Sequence, residues 1–286
     1  MANKTIGNPL SWTASHVSAT GSHLGEMAQS VGSDIERAPP EVKTLCMDDL
    51  RDALRLGYED FKSFRSDVIT ICVLYPIIGI CLAFLAFQGN LFHLIFPVIS
   101  GFALVGPVAA VGMYEMSRRR EADEPTSWFA VFDVIRSPSF GAILALGLWL
   151  FAIFVAWLFA ANAIYAQTIG LRPPPSLGAF LFDTLSTGAG WWMIIAGTAV
   201  GFCFAVAVLM ISFVSFPLLL DRKVGLPMAV VTSSKVVMRN PGPAAAWGLI
   251  VAASLLIGSI PALLGLIVAL PVLGHATWHL YRKAVA

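Results

Sequence analysis

One uncharged stretch constrains the fold of this chain more than any other feature. Ala244–Tyr281 contains 38 residues and no Asp, Glu, Lys or Arg. A single straight helix of that length would extend about 57 Å, roughly twice the ~30 Å hydrocarbon core of a bilayer. Gly258-Ser259-Ile260-Pro261 offers a turn, because Gly and Pro interrupt helices. The stretch therefore predicts two membrane spans, and a single kinked helix is the alternative.

Four further apolar runs are each long enough to cross a bilayer. They are Asp67–Phe87, Leu91–Met116, Phe140–Tyr165 and Trp191–Leu220. Charged residues make up 12% of the chain, about half the ~25% typical of soluble domains. The expected fold class is an all-α polytopic membrane protein with six transmembrane helices in residues 44–286. Residues 1–43 are rich in Ser, Gly and Thr, and we expect a disordered cytoplasmic tail there.

Two of the apolar segments resemble each other. Phe96–Arg119 and Ile260–Lys283 align without a gap, 164 positions apart. In this alignment Pro97, Gly101 and Pro107 fall on Pro261, Gly265 and Pro271. Both segments end in an aromatic residue followed by basic residues. The alignment predicts an internal repeat whose two copies cross the membrane in the same direction.

The distribution of basic residues predicts the orientation. With six spans, the segments before span 1 and after spans 2, 4 and 6 lie on one side and hold nearly all Lys and Arg residues near span ends. On the other side Arg172 is the only basic residue. Because Lys and Arg collect on the cytoplasmic side, both termini are expected in the cytoplasm.

Three short amphipathic stretches precede the odd-numbered spans on that side. They are Met47–Phe64, Ser127–Arg136 and Leu226–Arg239. In the first, Leu50, Leu54, Tyr58 and Phe61 recur every three or four residues. This spacing is typical of helices that lie in the membrane interface.

Few ionisable side chains fall at membrane depth, and such groups are candidates for function. His275 and His279 are four residues apart and so share one face of a helix. Glu115 aligns with His279 in the repeat and would lie at the same depth. The three residues form a candidate polar or ion site, and a metal or haem site is a further reading. Alternatively, they are interfacial groups that reach lipid headgroups or cap carbonyls near a helix end.

Arg118, Arg119, Arg120 and Arg136 form the densest basic patch. Such a patch is explained by the cytoplasmic preference of basic residues. It is also a candidate site for anionic lipid or an acidic partner surface. We expect no catalytic residue, no resident metal or cofactor, and no nucleic-acid partner.

Three motifs resemble one known family. GFALVGPVAAVGMYEMSRRRE (Gly101–Glu121), DLRDALRLGYEDF (Asp49–Phe61) and GHATWHLYR (Gly274–Arg282) occur in this order. Together they resemble the bacterial integral membrane family catalogued as domain of unknown function 2189. The resemblance implies a multi-pass protein of the bacterial inner membrane and implies no established activity.

Members of that family are sometimes labelled as cytochrome c oxidase subunit I. A haem–copper oxidase core uses six ligating histidines, whereas only His93, His275 and His279 lie outside the tail of this chain. A respiratory complex is therefore expected at most as a partner, beside the lipid bilayer. The sequence favours a non-enzymatic accessory, assembly or scaffold subunit. Two alternatives remain: a small transporter or channel with a polar site near Glu115 and His279, and a metal- or haem-binding membrane protein.

Overall fold

The computed structural model describes residues 39–64, 73–88, 91–125, 134–170 and 174–286. Regular structure in these residues is helical, and Val134–Arg136 forms a short 3-10 turn. The helices are α1 (Met47–Ser63), α2 (Leu74–Gln88), α3 (Phe92–Ala109), α4 (Val111–Glu121), α5 (Phe140–Thr168), α6 (Leu177–Ser186), α7 (Gly188–Ser212), α8 (Ser215–Asp221), α9 (Leu226–Arg239), α10 (Pro241–Ser259) and α11 (Leu266–Ala284). The predicted all-α class is confirmed for this part of the chain.

Three helical segments in the described residues are long and apolar enough to cross a membrane. They are Phe140–Thr168, Gly188–Asp221 and Pro241–Ser259. The predicted second span is divided into α3 and α4 at Ala110, and the first begins among residues 65–72, outside the described residues. The count of six spans therefore stays a prediction.

The uncharged stretch Ala244–Tyr281 is divided into two helices, as predicted. Helix α10 ends at Ser259 and α11 begins at Leu266. Between them Ala262 and Leu263 have positive φ angles of 51° and 67°, which gives the chain a tight reversal. A Cβ atom on Gly265 would lie 2.6 Å from the Cα atom of Gly258. The two helix ends thus approach so closely that only glycine fits there.

The two copies of the predicted repeat differ in secondary structure. The first is interrupted at Ala110, whereas α11 continues through the aligned residue Gly274. Pro97 lies inside α3, and its match Pro261 lies in the turn before α11. The internal repeat is not confirmed by this comparison and stays a prediction.

Two of the three predicted amphipathic stretches form helices, α1 and α9. Helix α1 packs its inner face against α11, and its buried residues are Leu50, Ala53, Gly57, Asp60 and Phe61. Tyr58 was predicted on the apolar face, but half of its surface is exposed. In the other stretch, Ser127–Arg136, residues 127–133 lie outside the described residues, and Val134–Arg136 forms the 3-10 turn.

Part of the predicted tail is ordered against the last residues of the chain. Residues 1–38 lie outside the described residues. Val42 forms an isolated antiparallel bridge with Val285. The Lys43 amide donates to the Ala284 carbonyl at 2.9 Å, and the Ala286 amide donates to the Glu41 carbonyl at 2.9 Å. These contacts bring the segment before α1 to the end of α11.

Candidate functional site

Three helices meet at the basic end of the fold because small residues let them approach. A Cβ atom on Gly57 of α1 would lie 2.5 Å from the Ala276 backbone nitrogen in α11. A Cβ atom on Gly274 would lie 3.0 Å from the Met113 Cβ atom in α4. Helices α1 and α4 therefore both contact α11 over its last turns, and their polar side chains face one another.

Asp60 lies at the centre of this contact. It is 4% exposed and accepts three hydrogen bonds. The Ser117 hydroxyl donates to its Oδ2 atom at 2.6 Å, and His279 Nε2 donates to the same oxygen at 2.9 Å. Arg120 donates to Oδ1 at 2.6 Å. We refer to Asp60, Ser117, Arg120, His275 and His279 as the Asp60 network.

The hydrogen positions in this network follow from counting donors. His275 is fully buried, and its Nδ1 atom lies 2.8 Å from the Ser117 hydroxyl oxygen. A serine hydroxyl has one hydrogen, and Ser117 donates it to Asp60. His275 Nδ1 must then donate to Ser117, which leaves Nε2 as the acceptor of a neutral ring. Among the described residues, that buried Nε2 atom has no hydrogen-bond partner.

The carboxyl of Asp60 is ionised at neutral pH. Burial on its own would raise the pKa of Asp60, but hydrogen bonds from His279 and Ser117 outweigh burial. The pKa of Asp60 is therefore held below its usual range. A buried carboxylate is tolerated only when it is paired and hydrogen-bonded, and both conditions are met here.

Further ion pairs surround the Asp60 network and complete what we call the polar cap. Lys283 contacts Asp49 at 3.0 Å and Asp52 at 3.2 Å. Arg282 contacts Glu121 at 3.0 Å and Asp221 at 3.3 Å. Glu121 also accepts a hydrogen bond from the Trp278 indole at 3.0 Å, and Asp221 accepts one from the Tyr281 hydroxyl at 2.6 Å. The end of α11 is thus joined to α1, α4 and α8.

Asn240, between α9 and α10, connects the segment before α1 to the bundle. Its side-chain oxygen accepts from the Leu45 amide at 2.7 Å. Its side-chain nitrogen donates to the Lys43 carbonyl at 3.1 Å and to the Val236 carbonyl at 3.0 Å. Asn240 is 2% exposed, so this side chain satisfies backbone groups that water does not reach.

Two of the three residues of the predicted polar site are brought together. His275 and His279 both belong to the Asp60 network. Glu115 instead accepts from Arg118 at 2.8 Å and from Arg119 at 2.6 Å, both on its own helix. The carboxylate beside the two histidines is therefore Asp60, and Glu115 forms a separate ion-pair cluster.

The predicted basic patch is divided in the same way. Arg118 and Arg119 pair with Glu115, and Arg120 pairs with Asp60. Arg136 lies exposed on the 3-10 turn. Three of the four arginines therefore form ion pairs within the fold.

Comparison with known proteins gives one match. Residues 95–221 match domain of unknown function 2189, described as a predicted integral membrane protein. The chain contains a DUF2189 region. The predicted resemblance is confirmed over these residues, which include the motif Gly101–Glu121. No curated protein and no solved structure matches the chain.

The Asp60 network combines residues inside and outside the DUF2189 region. Ser117 and Arg120 lie inside it, whereas Asp60, His275 and His279 lie outside it. The sequence reasoning had missed Asp60 and Ser117. One signal could have found Asp60: it continues the buried series Leu50, Ala53 and Gly57 at spacings of three and four residues.

The remaining histidine of the membrane domain lies elsewhere. His93 is at the beginning of α3, where its Nε2 atom lies 3.0 Å from Asn162 Oδ1. Its ring stacks on Tyr165 with 4.1 Å between ring centroids. In the described residues no group of three His, Cys, Asp or Glu side chains is arranged to hold a metal ion.

Proposed function

We propose that this protein is a non-enzymatic accessory or assembly subunit of a membrane complex, such as a respiratory complex, in the bacterial inner membrane. The observation that carries the proposal is the polar cap. Its charged and polar side chains bind one another and join four segments of the fold. Such a cap stabilises a bundle, whereas a catalytic centre requires reactive groups that a substrate can reach.

The burial of the Asp60 network supports this reading. His275 is fully buried, and the Asp60 side chain is 6% exposed. Hydrogen bonds to a charged group contribute about 1.5–3 kcal/mol. The network is thus expected to hold α1 against α4 and α11, and to fix the shape that a partner subunit binds.

The surface of the bundle offers apolar area for such a partner. Large apolar side chains are exposed on several helices, including Phe159 on α5, Trp192 on α7 and Leu256 on α10. Lipid and a membrane partner compete for this kind of surface. On the polar side, the exposed Arg136 of the basic patch is a candidate contact for an acidic partner.

The proposed orientation places the polar cap in the cytoplasm. The basic ends of α4 and α11 both lie in the cap, as the positive-inside preference requires. A reporter enzyme fused after Ala286 tests this placement. A reporter that is active only outside the cytoplasm would overturn it.

Affinity purification in mild detergent tests the accessory role. We expect a membrane partner to co-purify in a fixed ratio, and Arg136→Glu to weaken that association by at least fivefold. Lys62→Glu, which changes the same charge on the exposed face of α1, serves as the control. Recovery of the protein alone, after chemical cross-linking in intact membranes, would contradict the proposal.

A small proton transporter is the second candidate, because one specific feature favours it. Hydrogen bonds run without a gap from His275 through Ser117 and Asp60 to His279. His279 is 16% exposed at its side chain, so this path reaches the surface. Proton flux into vesicles that contain the purified protein tests this role. Flux that is abolished by Ser117→Ala would favour the transporter over the accessory subunit.

A further inference from the structure

An apolar cavity of about 450 Å³ lies between five helices of the bundle. Residues of α3, α4, α7, α10 and α11 line it. Small side chains open the space, among them Ala110, Gly248 and Gly274. The volume falls in the range of about 300–1,000 Å³ that is usual for ligand pockets.

The lining selects an apolar ligand. Ser212 and Thr277 are the two small hydroxyl residues of the lining. The Ser212 hydroxyl donates to the Val208 carbonyl at 2.8 Å, and the Thr277 hydroxyl donates to the Leu273 carbonyl at 2.7 Å. Both hydroxyls are therefore bound to their own helices, and no charged residue in the described part of the chain lines the cavity. A sugar, nucleotide or ion would lose its hydration here without compensation.

Two residues that line the cavity are exposed on apolar helices. Phe202 on α7 and Leu249 on α10 both line the cavity, and they are 68% and 71% exposed. Each belongs to a helix that is long and apolar enough to span a membrane. These exposed side chains are suited to hydrocarbon, so an occupant is expected to enter from the bilayer.

The length of the cavity matches one leaflet. The lining extends from Phe202 to Ser212 on α7 and from Ala245 to Leu255 on α10. At 1.5 Å per residue each segment is about 15 Å long, which is half of the ~30 Å hydrocarbon core. On α7 this segment lies at the end of the helix nearest the polar cap, since α7 ends at Ser212. On α10 it covers the middle of Pro241–Ser259.

We propose that this cavity binds one acyl chain of a membrane phospholipid from the leaflet on the side of the polar cap. An empty space of this size would leave its lining without dispersion contacts. A hydrocarbon chain restores these contacts, and the neighbouring leaflet supplies one of the right length. The bound chain fills the gap between α7 and α10.

Photolabelling of the full-length protein tests the proposal. The protein is reconstituted in vesicles of phosphatidylethanolamine and phosphatidylglycerol that contain a trace of phospholipid with a diazirine in its acyl chain. After illumination, mass spectrometry maps the labelled residues. We expect the label to concentrate on cavity residues of α7, α10 and α11, above its level on equally exposed lipid-facing residues.

Ala252→Phe fills the cavity from α10 and should lower labelling of its lining at least fivefold. Ala207→Phe is the matched control: Ala207 is exposed on α7 but does not line the cavity, so labelling should not change. If Ala252→Phe fails to fold, Ala205→Phe fills the cavity from α7 instead. Folding is checked by the hydrogen exchange of the Leu45 amide, which Asn240 binds.

Two results would overturn the proposal. One is label that follows surface exposure alone and is unaffected by either filling variant. The other is loss of the label when an equimolar isoprenoid quinone is added, because the occupant would then be an isoprenoid chain and not a phospholipid acyl chain.

Discussion

Gly57 and Ala276 lie in direct backbone contact, because a Cβ atom on Gly57 would be 2.5 Å from the Ala276 nitrogen. This contact sets the distance between α1 and α11 and allows Asp60, one turn further along α1, to reach His279. The Asp60 network therefore depends on a position that must lack a side chain.

Gly57→Ala is expected to push α1 away from α11. Forcing a methyl group into such a contact costs about 1–3 kcal/mol, and the Asp60 hydrogen bonds would weaken as well. We expect a lower Tm in detergent and faster proteolysis within α1. Gly197→Ala is the control, since a Cβ atom there meets nothing within 4 Å. Equal effects of the two changes would contradict the close contact.

Asp60→Asn is expected to destabilise the protein at neutral pH. Hydrogen bonds to a charged group contribute about 1.5–3 kcal/mol, which corresponds to roughly 5–10 °C in Tm. Glu59→Gln removes an exposed carboxylate from the next position and should change Tm little.

The same variant should show a defined pH dependence. Folding lowers the pKa of Asp60. The ionised carboxylate therefore contributes its full share of folding stability above the unfolded pKa of about 3.9. This stabilisation is lost as the pH falls through the lower pKa that Asp60 has in the folded protein. The Tm difference between the wild type and Asp60→Asn should therefore be constant above about pH 5 and shrink below about pH 4. A difference that shrinks between pH 6 and 8 would show that another group controls the network.

Asn240→Ala should release the segment before α1. The Leu45 amide would lose its acceptor in a buried position, at a cost of about 1.5 kcal/mol or roughly tenfold in exchange rate. Hydrogen–deuterium exchange at Leu45 measures this directly. Asn162→Ala, which removes the partner of His93, should leave the exchange of Leu45 unchanged.

Features set by neighbouring residues could be predicted from the sequence. Gly258 and Pro261 indicated the turn between α10 and α11, because these residue types interrupt helices wherever they occur. The periodic apolar residues of α1 and α9 indicated helices for the same local reason. The spacing of His275 and His279 placed both on one helix face.

The carboxylate partner of these histidines could not be found locally. Asp60 is separated by 57 residues from Ser117 and by 219 residues from His279, so their meeting depends on how three helices pack. Glu115 was predicted beside His279 from an alignment of two helices. Arg118 and Arg119, one turn away on the same helix, bind Glu115 instead.

Double-mutant cycles can decide whether Glu115 and His279 act as one site. When two residues share a contact, the effects of their mutations on the free energy of unfolding are coupled by about 0.5–3 kcal/mol. When they share no partner, the effects add to within about 0.3–0.5 kcal/mol. Asp60→Asn and His279→Ala should therefore couple, because Asp60 Oδ2 lies 2.9 Å from His279 Nε2. The effects of Glu115→Gln and His279→Ala on the free energy of unfolding should add, because Glu115 binds Arg118 and Arg119. Unfolding free energies of the single and double variants in the same detergent give both values, and a coupling above about 1 kcal/mol between Glu115 and His279 would restore the single polar site.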